Sequence, residues 1–180
     1  MNTIKKGFLL FLTLCLIACK SPQETSATEN SISAFDFSTV EKFKTTKATG
    51  QIVNDYDDVF TLEQRQELSQ LLYNYNLKTT RQIAIVTVET ISPYQDIQRF
   101  ATDLGKYWGV GTKKDDNGMI FVICNPCRQL GIATGTGTEK VLTNDICKRV
   151  IDTTIIPQFK NGNFYDGIKN GVLELMEEWN

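Results

Sequence analysis

Two apolar runs constrain the fold of this chain more than anything else in it. Gln82 to Val88 (Gln-Ile-Ala-Ile-Val-Thr-Val) and Gly118 to Cys124 (Gly-Met-Ile-Phe-Val-Ile-Cys) are short, almost unbroken and rich in β-branched residues. Apolar runs of this length without alternation read as strands covered on both faces. Between them, Ile97, Phe100, Ala101, Leu104 and Trp108 recur at helical spacing. Strand, helix and second buried strand make a βαβ unit, with parallel strands and a right-handed crossover.

The other elements follow from local chemistry. Asn125-Pro126 turns the chain, and Arg128 to Ala133 returns as an antiparallel third strand. Ile52 to Phe60 is an extended lead-in, and Gln51 to Asn54 would make a poor core strand. Thr61 is a good helix N-cap, and Gln64 three residues on completes a capping box. That helix carries Leu68, Leu71, Leu72 and Tyr75 on one face and should end near Leu77. Ser92-Pro93 is expected to open the middle helix, with Pro at its first position. A Gly-rich loop spans Thr134 to Glu139. A helix then runs from about Thr143 to Thr154, closed by Pro157, and Asn161 to Asn163 cap a last helix. The predicted fold is α/β: a three-layer sandwich, with a small mixed sheet, a right-handed βαβ unit, an antiparallel hairpin and helices on both faces.

The first fifty residues have another character. Lys5 and Lys6 precede an apolar run from Phe8 to Ala18. It is too short to cross a bilayer, which needs about 20 residues, and fits a secretory signal. The run ends Leu16-Ile17-Ala18-Cys19, which resembles the lipobox of bacterial lipoproteins. This predicts a lipoprotein signal peptide over residues 1–18, acylation of Cys19, and a lipid-anchored place in the bacterial cell envelope. Residues 19–50 are mostly polar and small and read as a flexible tether of ~30 Å end-to-end distance. Phe35, Phe37 and Phe43 are scattered through its later part, and a few of these aromatics could dock on the domain. The folded domain is expected over residues 51–180.

Composition narrows the chemistry. The chain has 180 residues, no His and a formal net charge of -2. The absence of His removes Ser-His-Asp and Cys-His nucleophilic sites and His-ligated zinc. The balanced charge argues against nucleic acid as a partner, since phosphate binding calls for a basic stripe. What remains is carboxylate, Lys, Tyr, Ser/Thr and Cys chemistry.

Topology sorts the carboxylates. With parallel first and second strands, Asp115 and Asp116 lie at the strand-start end. The third strand returns Gly135 to Glu139 to that end, where the next helix begins with Asp145 in its first turn. Asp115, Asp116, Glu139 and Asp145 should therefore converge, and carboxylates with loop carbonyls suit Ca²⁺ or Mg²⁺. The plainer reading is that Asp145 serves the helix dipole and Asp116-Asn117-Gly118 is only a turn. Asp55 falls at the other end, near Arg128, as an ion-pair partner or a ligand. Asp55-Tyr56-Asp57-Asp58-Val59 fits an aspartyl-phosphatase pattern, but precedes a helix instead of following a buried strand. Gly135-Thr136-Gly137 lacks the spacing of a P-loop. Cys124-Asn-Pro-Cys127 joins two strands, so a structural disulfide is expected there, with Cys147 a buried free thiol.

Read together, Val53-Asn54-Asp55, Gln82 to Val88, Trp108-Gly109-Val110-Gly111, Asp116-Asn117-Gly118, Gly135-Thr136-Gly137 with Glu139, Leu142, Asp145, Pro157, Phe159, Tyr165 and Gly167 resemble the TPM domain. That family includes a thylakoid-lumen protein of photosystem II repair. The resemblance implies an α/β sandwich on an exported or tethered protein, divalent-cation binding and, for the plant member, weak acid phosphatase activity. Thr136 stands where the family often has an aromatic, and Cys124, Cys127 and Cys147 are additions. Two functions are left standing. One is a cation-binding lipoprotein with weak metal-dependent phosphatase activity. The other is a non-enzymatic scaffold or quality-control module for a membrane-protein partner, with a structural cation.

Overall fold

A computed structural model of the protein describes residues 35–180. The expected signal peptide and Cys19 lie outside the described residues. Strands β1 (Val53–Asp55), β2 (Gln82–Thr87), β3 (Gly118–Cys124) and β4 (Gln129–Thr134) form one sheet in the order β1-β2-β3-β4. β2 and β3 pair in parallel, with Ile85 opposite Phe121. β3 and β4 are antiparallel, with Phe121 opposite Ile132. The expected mixed sheet, its βαβ unit and its hairpin are all present. The lead-in adds the short parallel edge strand β1, with Val53 opposite Ile85. Gln51 Nε2 donates to the carbonyl of Val53 at 3.1 Å, so a side chain takes up an acceptor of this edge strand.

Alternation along the strands divides two cores. Ile83, Ile85, Met119, Phe121 and Ile123 pack with Leu68 and Leu72 of α2 (Leu62–Thr79), and with Ile168, Val172 and Leu175 of α7 (Phe164–Glu178). Ala84, Val86, Ile120 and Val122 pack with Phe100, Ala101 and Leu104 of α3 (Ile97–Trp108) on the other face. Each fully buried large apolar side chain contributes about 1.5–3 kcal/mol relative to exposure, so both faces are needed. The Thr61–Gln64 capping box forms as expected, and α2 runs slightly past Leu77, to Thr79.

Three parts differ from the sequence-based expectations. First, folding begins before residue 51. A 3₁₀ turn (Phe37–Thr39) and α1 (Glu41–Thr49) lie within the stretch read as tether, and Phe37 and Phe43 are buried against α3. Phe37 contacts the rings of Phe43, Tyr94, Phe100 and Tyr107, which outweighs the polar composition around it. Buried Thr46 further donates to Asn54 Oδ1 on β1 at 2.9 Å.

Second, α3 starts at Ile97 and not at Pro93. Asp96 is its N-cap, accepting from the Gln98 N–H at 2.9 Å. The preceding turn plants Tyr94 in the core, with its hydroxyl on Asp103 at 3.0 Å. Third, Pro157 does not close its helix. α5 (Asn144–Val150) continues through a π-turn (Ile151–Ile155) into α6 (Ile156–Lys160). Pro157 has no N–H and its ring crowds the carbonyl four residues back, so the helix widens by a turn and continues.

Candidate functional site at the loop end of the sheet

The loop before β3 and the loop after β4 meet at the strand-start end of β2 and β3, as the topology predicts. The first is shaped by its own polar groups. Thr112 N–H donates to Asn117 Oδ1 at 2.9 Å, and the Asp116 N–H to the Thr112 carbonyl at 2.8 Å. Gly111 N–H donates to Gln82 Oε1 at 2.9 Å, and Asn117 Nδ2 to the Thr80 carbonyl at 3.1 Å. Asp116 is left in the left-handed region, at φ 45°. The second loop is a short helix, α4 (Thr136–Glu139), with Gly135 at its N-cap. Gly135 N–H and the buried Thr138 hydroxyl both donate to the Gly118 carbonyl at 2.9 Å.

The two loops touch backbone to backbone. A Cβ on Gly137 would sit 1.8 Å from the Asp115 carbonyl oxygen, and one on Gly135 2.2 Å from that of Asp116. A Cβ on Gly118 would sit 2.0 Å from the Val110 carbonyl oxygen. Gly111, Gly118, Gly135 and Gly137 are therefore explained by close approach, and Gly109 by its φ of 71° at the C-cap of α3. They lock the loops and fix what protrudes from them.

What protrudes is Asp116. Its Oδ2 accepts from the N–H of Thr136 at 2.7 Å and from the Thr136 hydroxyl at 2.9 Å. Its Oδ1 accepts no hydrogen bond among the described residues. The pair opens on a cleft of about 360 Å³ whose lining includes Lys106, Thr112 and Lys113. The topology already puts the Gly135-Thr136-Gly137 loop at this end, but Lys106 and Lys113 carry no sequence signal for a site, and only the fold lines one cleft with α3 and Asp116.

The four expected carboxylates do not gather into one cluster. Among the described residues, no three Asp, Glu or Cys side chains come together as a ligand set. Asp115 Oδ2 accepts from the Thr112 hydroxyl at 3.3 Å, and Glu139 Oε1 from Asn144 Nδ2 at 3.4 Å. Asp145 is exposed in the first turn of α5. The carboxylates of Asp115 and Asp116 remain as hard oxygen donors on one loop, while their carbonyls face the contact with Gly135 and Gly137.

The opposite end of the sheet is structural. The Asp55 side chain is fully buried and accepts from Thr87 Oγ1 at 2.6 Å and from the Val59 and Phe60 N–H groups, each at 2.9 Å. Its cation is Arg65 at 3.6 Å, in place of the expected Arg128. A carboxylate so fully engaged is a tie between β1, β2 and α2. Cys124 and Cys127 form the expected disulfide, with Cα atoms 5.1 Å apart, and Cys147 is free and buried. Burial pushes the Cys147 thiol up to about 11.

These features define an α/β sandwich whose glycine-locked loops present one carboxylate to a cleft. The chain belongs to the TPM domain family, whose sequence model, named for a phosphatase, matches residues 53–178. Solved structures share the fold. The N-terminal domain of a protein from P. gingivalis is 26% identical with a TM-score of 0.66, over 74% of this chain and 85% of that one. The BA42 protein of the psychrophilic bacterium Bizionia argentinensis is 19% identical with a TM-score of 0.60, over 69% and 83%. No curated protein matches the sequence.

Proposed function

We propose that this chain is an envelope lipoprotein, anchored through Cys19, whose TPM domain binds a divalent cation at the Asp116 cleft and hydrolyses phosphomonoesters weakly. The observation that carries this reading is Asp116 itself. The crossing loops hold it rigidly, one of its oxygens is fixed by Thr136, and the residue lines the same cleft as Lys106 and Lys113. Asp115 and Asp116 would hold a cation that keeps most of its water, as Mg²⁺ does, and Glu139 and Asp145 would stand outside that set. Such an ion supplies an activated water or a Lewis acid. The two lysines would orient an anionic phosphate. The test is phosphatase turnover by highly purified protein with Mg²⁺ and with EDTA. Activity is expected only with metal and should vanish in Asp116→Asn.

A second reading has an observation of its own. The chain has no His to serve as a general base, and the Asp116 oxygen that accepts from the Thr136 hydroxyl is shared with the Thr136 N–H, which weakens it as a base. This favours a scaffold or quality-control module that binds a membrane-protein partner, with the cation structural. Metal-dependent stabilisation without any turnover would select it.

A further inference from the structure

A second groove lies at the other end of the sheet, beside the β3–β4 hairpin tip. Its volume is about 550 Å³, within the range of small-molecule sites. Ile123, Leu130, Ile156, Phe159 and Phe164 supply apolar wall, and Arg128 and Lys160 supply the charge. No carboxylate lines it. Neither cation takes part in an ion pair among the described residues. We propose that this groove binds a single-chain amphiphile with an anionic head, the head on Arg128 and Lys160 and the tail along Phe159 and Phe164.

Two further features point to the groove. Arg128 is held at φ 54°, in the left-handed region, with its N–H on the Asn125 carbonyl at 3.0 Å. Gly would fit that backbone without strain, and Arg does not. A strained residue whose side chain lines a groove suits a binding role better than a folding role. The opposite wall follows the π-turn, a rare geometry that recurs at functional sites. Gly171 and Gly167 of α7 admit this widened helix. A Cβ on Gly171 would meet Ile155 Cγ1 at 2.5 Å, and one on Gly167 would meet the Phe159 ring at 2.9 Å. Phe159 and Phe164 are thereby left half-buried with ring centroids 4.8 Å apart.

Charge complementarity selects the occupant. Two unpaired cations above an apolar wall match one anionic head and one tail, whereas a cationic amphiphile would be repelled. The probes are decanoate and decyltrimethylammonium, titrated into the purified unlipidated chain below their micelle concentrations. Calorimetry reads the affinity, and amide NMR shifts read the location. Decanoate should bind, with shifts at residues 123–130 and 156–164, and decyltrimethylammonium should not. Arg128→Gly should weaken decanoate about tenfold or more while keeping or raising the melting temperature, and Lys160→Gln should weaken it in the same direction. Equal binding of the two probes, unchanged affinity in both variants, shifts elsewhere, or binding only to phosphatidylglycerol vesicles would each overturn the proposal.

Discussion

The carboxylate of Asp116 and the N-terminus of the helix at Thr136 are bound twice over, by a main-chain N–H at 2.7 Å and by a hydroxyl at 2.9 Å. Twenty residues separate them in sequence, and the β3–β4 hairpin brings them together. This clamp joins the loop that carries Asp116-Asn117-Gly118 to the loop that carries Gly135-Thr136-Gly137. It divides their roles between glycines that allow the contact and one carboxylate that the contact displays.

The first prediction concerns the glycines. Gly137→Ala places a methyl 1.8 Å from the Asp115 carbonyl oxygen, so one loop must move. The cost should be about 3 kcal/mol or more. Gly162→Ala meets nothing within 4 Å and should cost less, through its φ of 78° alone. Urea denaturation of both variants checks the order.

Asp55 supports a second. Replacing it with Ala leaves the Thr87 hydroxyl and two N–H groups without their acceptor and deprives Arg65 of its nearest carboxylate. A loss on the order of 3 kcal/mol is expected. Asp55→Asn keeps the shape and one acceptor oxygen and should lose less. Neither change should alter cation binding, because Asp55 lies at the other end of the sheet.

Tyr94 gives the third, on pH. Burial first, and then its hydrogen bond to Asp103, push its phenol up to about 12. The unfolded phenol ionises near 10, so between those values the folded state holds the proton that the unfolded state has lost. Its contribution is complete below pH 10 and falls as pH rises through 12. Stability measured from pH 8 upward should decline more steeply in the parent than in Tyr94→Phe. Parallel curves would contradict this.

Cys147 gives the fourth. Its thiol is buried and raised to about 11, so little thiolate exists at pH 8 and iodoacetamide cannot reach it. Peptide mapping should find Cys147 unmodified in native protein and modified in urea, with Cys124 and Cys127 linked to each other throughout.

Much of this architecture is legible in the residues. β2 and β3 declare themselves because both of their faces are apolar, and their parallel pairing then fixes which loops meet. The Thr61–Gln64 cap and the Cys124–Cys127 bridge are short-range features that local spacing specifies. The errors arise where tertiary contacts override local pattern. Phe37 and Phe43 have polar sequence neighbours, and only contact with Tyr94, Phe100, Tyr107 and Trp108 makes them core. Pro157 usually ends a helix, but here a π-turn absorbs it. Asp55 finds Arg65 in place of Arg128 because α2 folds back over β1. Convergence of loops is a weaker condition than convergence of side chains. That is why Asp115, Asp116, Glu139 and Asp145 share one end of the sheet without forming one ligand set.

The most direct test of the central claim is a residue-resolved NMR titration of the protein with Ca²⁺ and with Mg²⁺. The account predicts saturable shifts centred on residues 111–118 and 135–137, lost in Asp116→Asn, with a higher melting temperature when metal is present. Shifts centred on Asp55, Asp57 and Asp58, or none at millimolar cation, would contradict it.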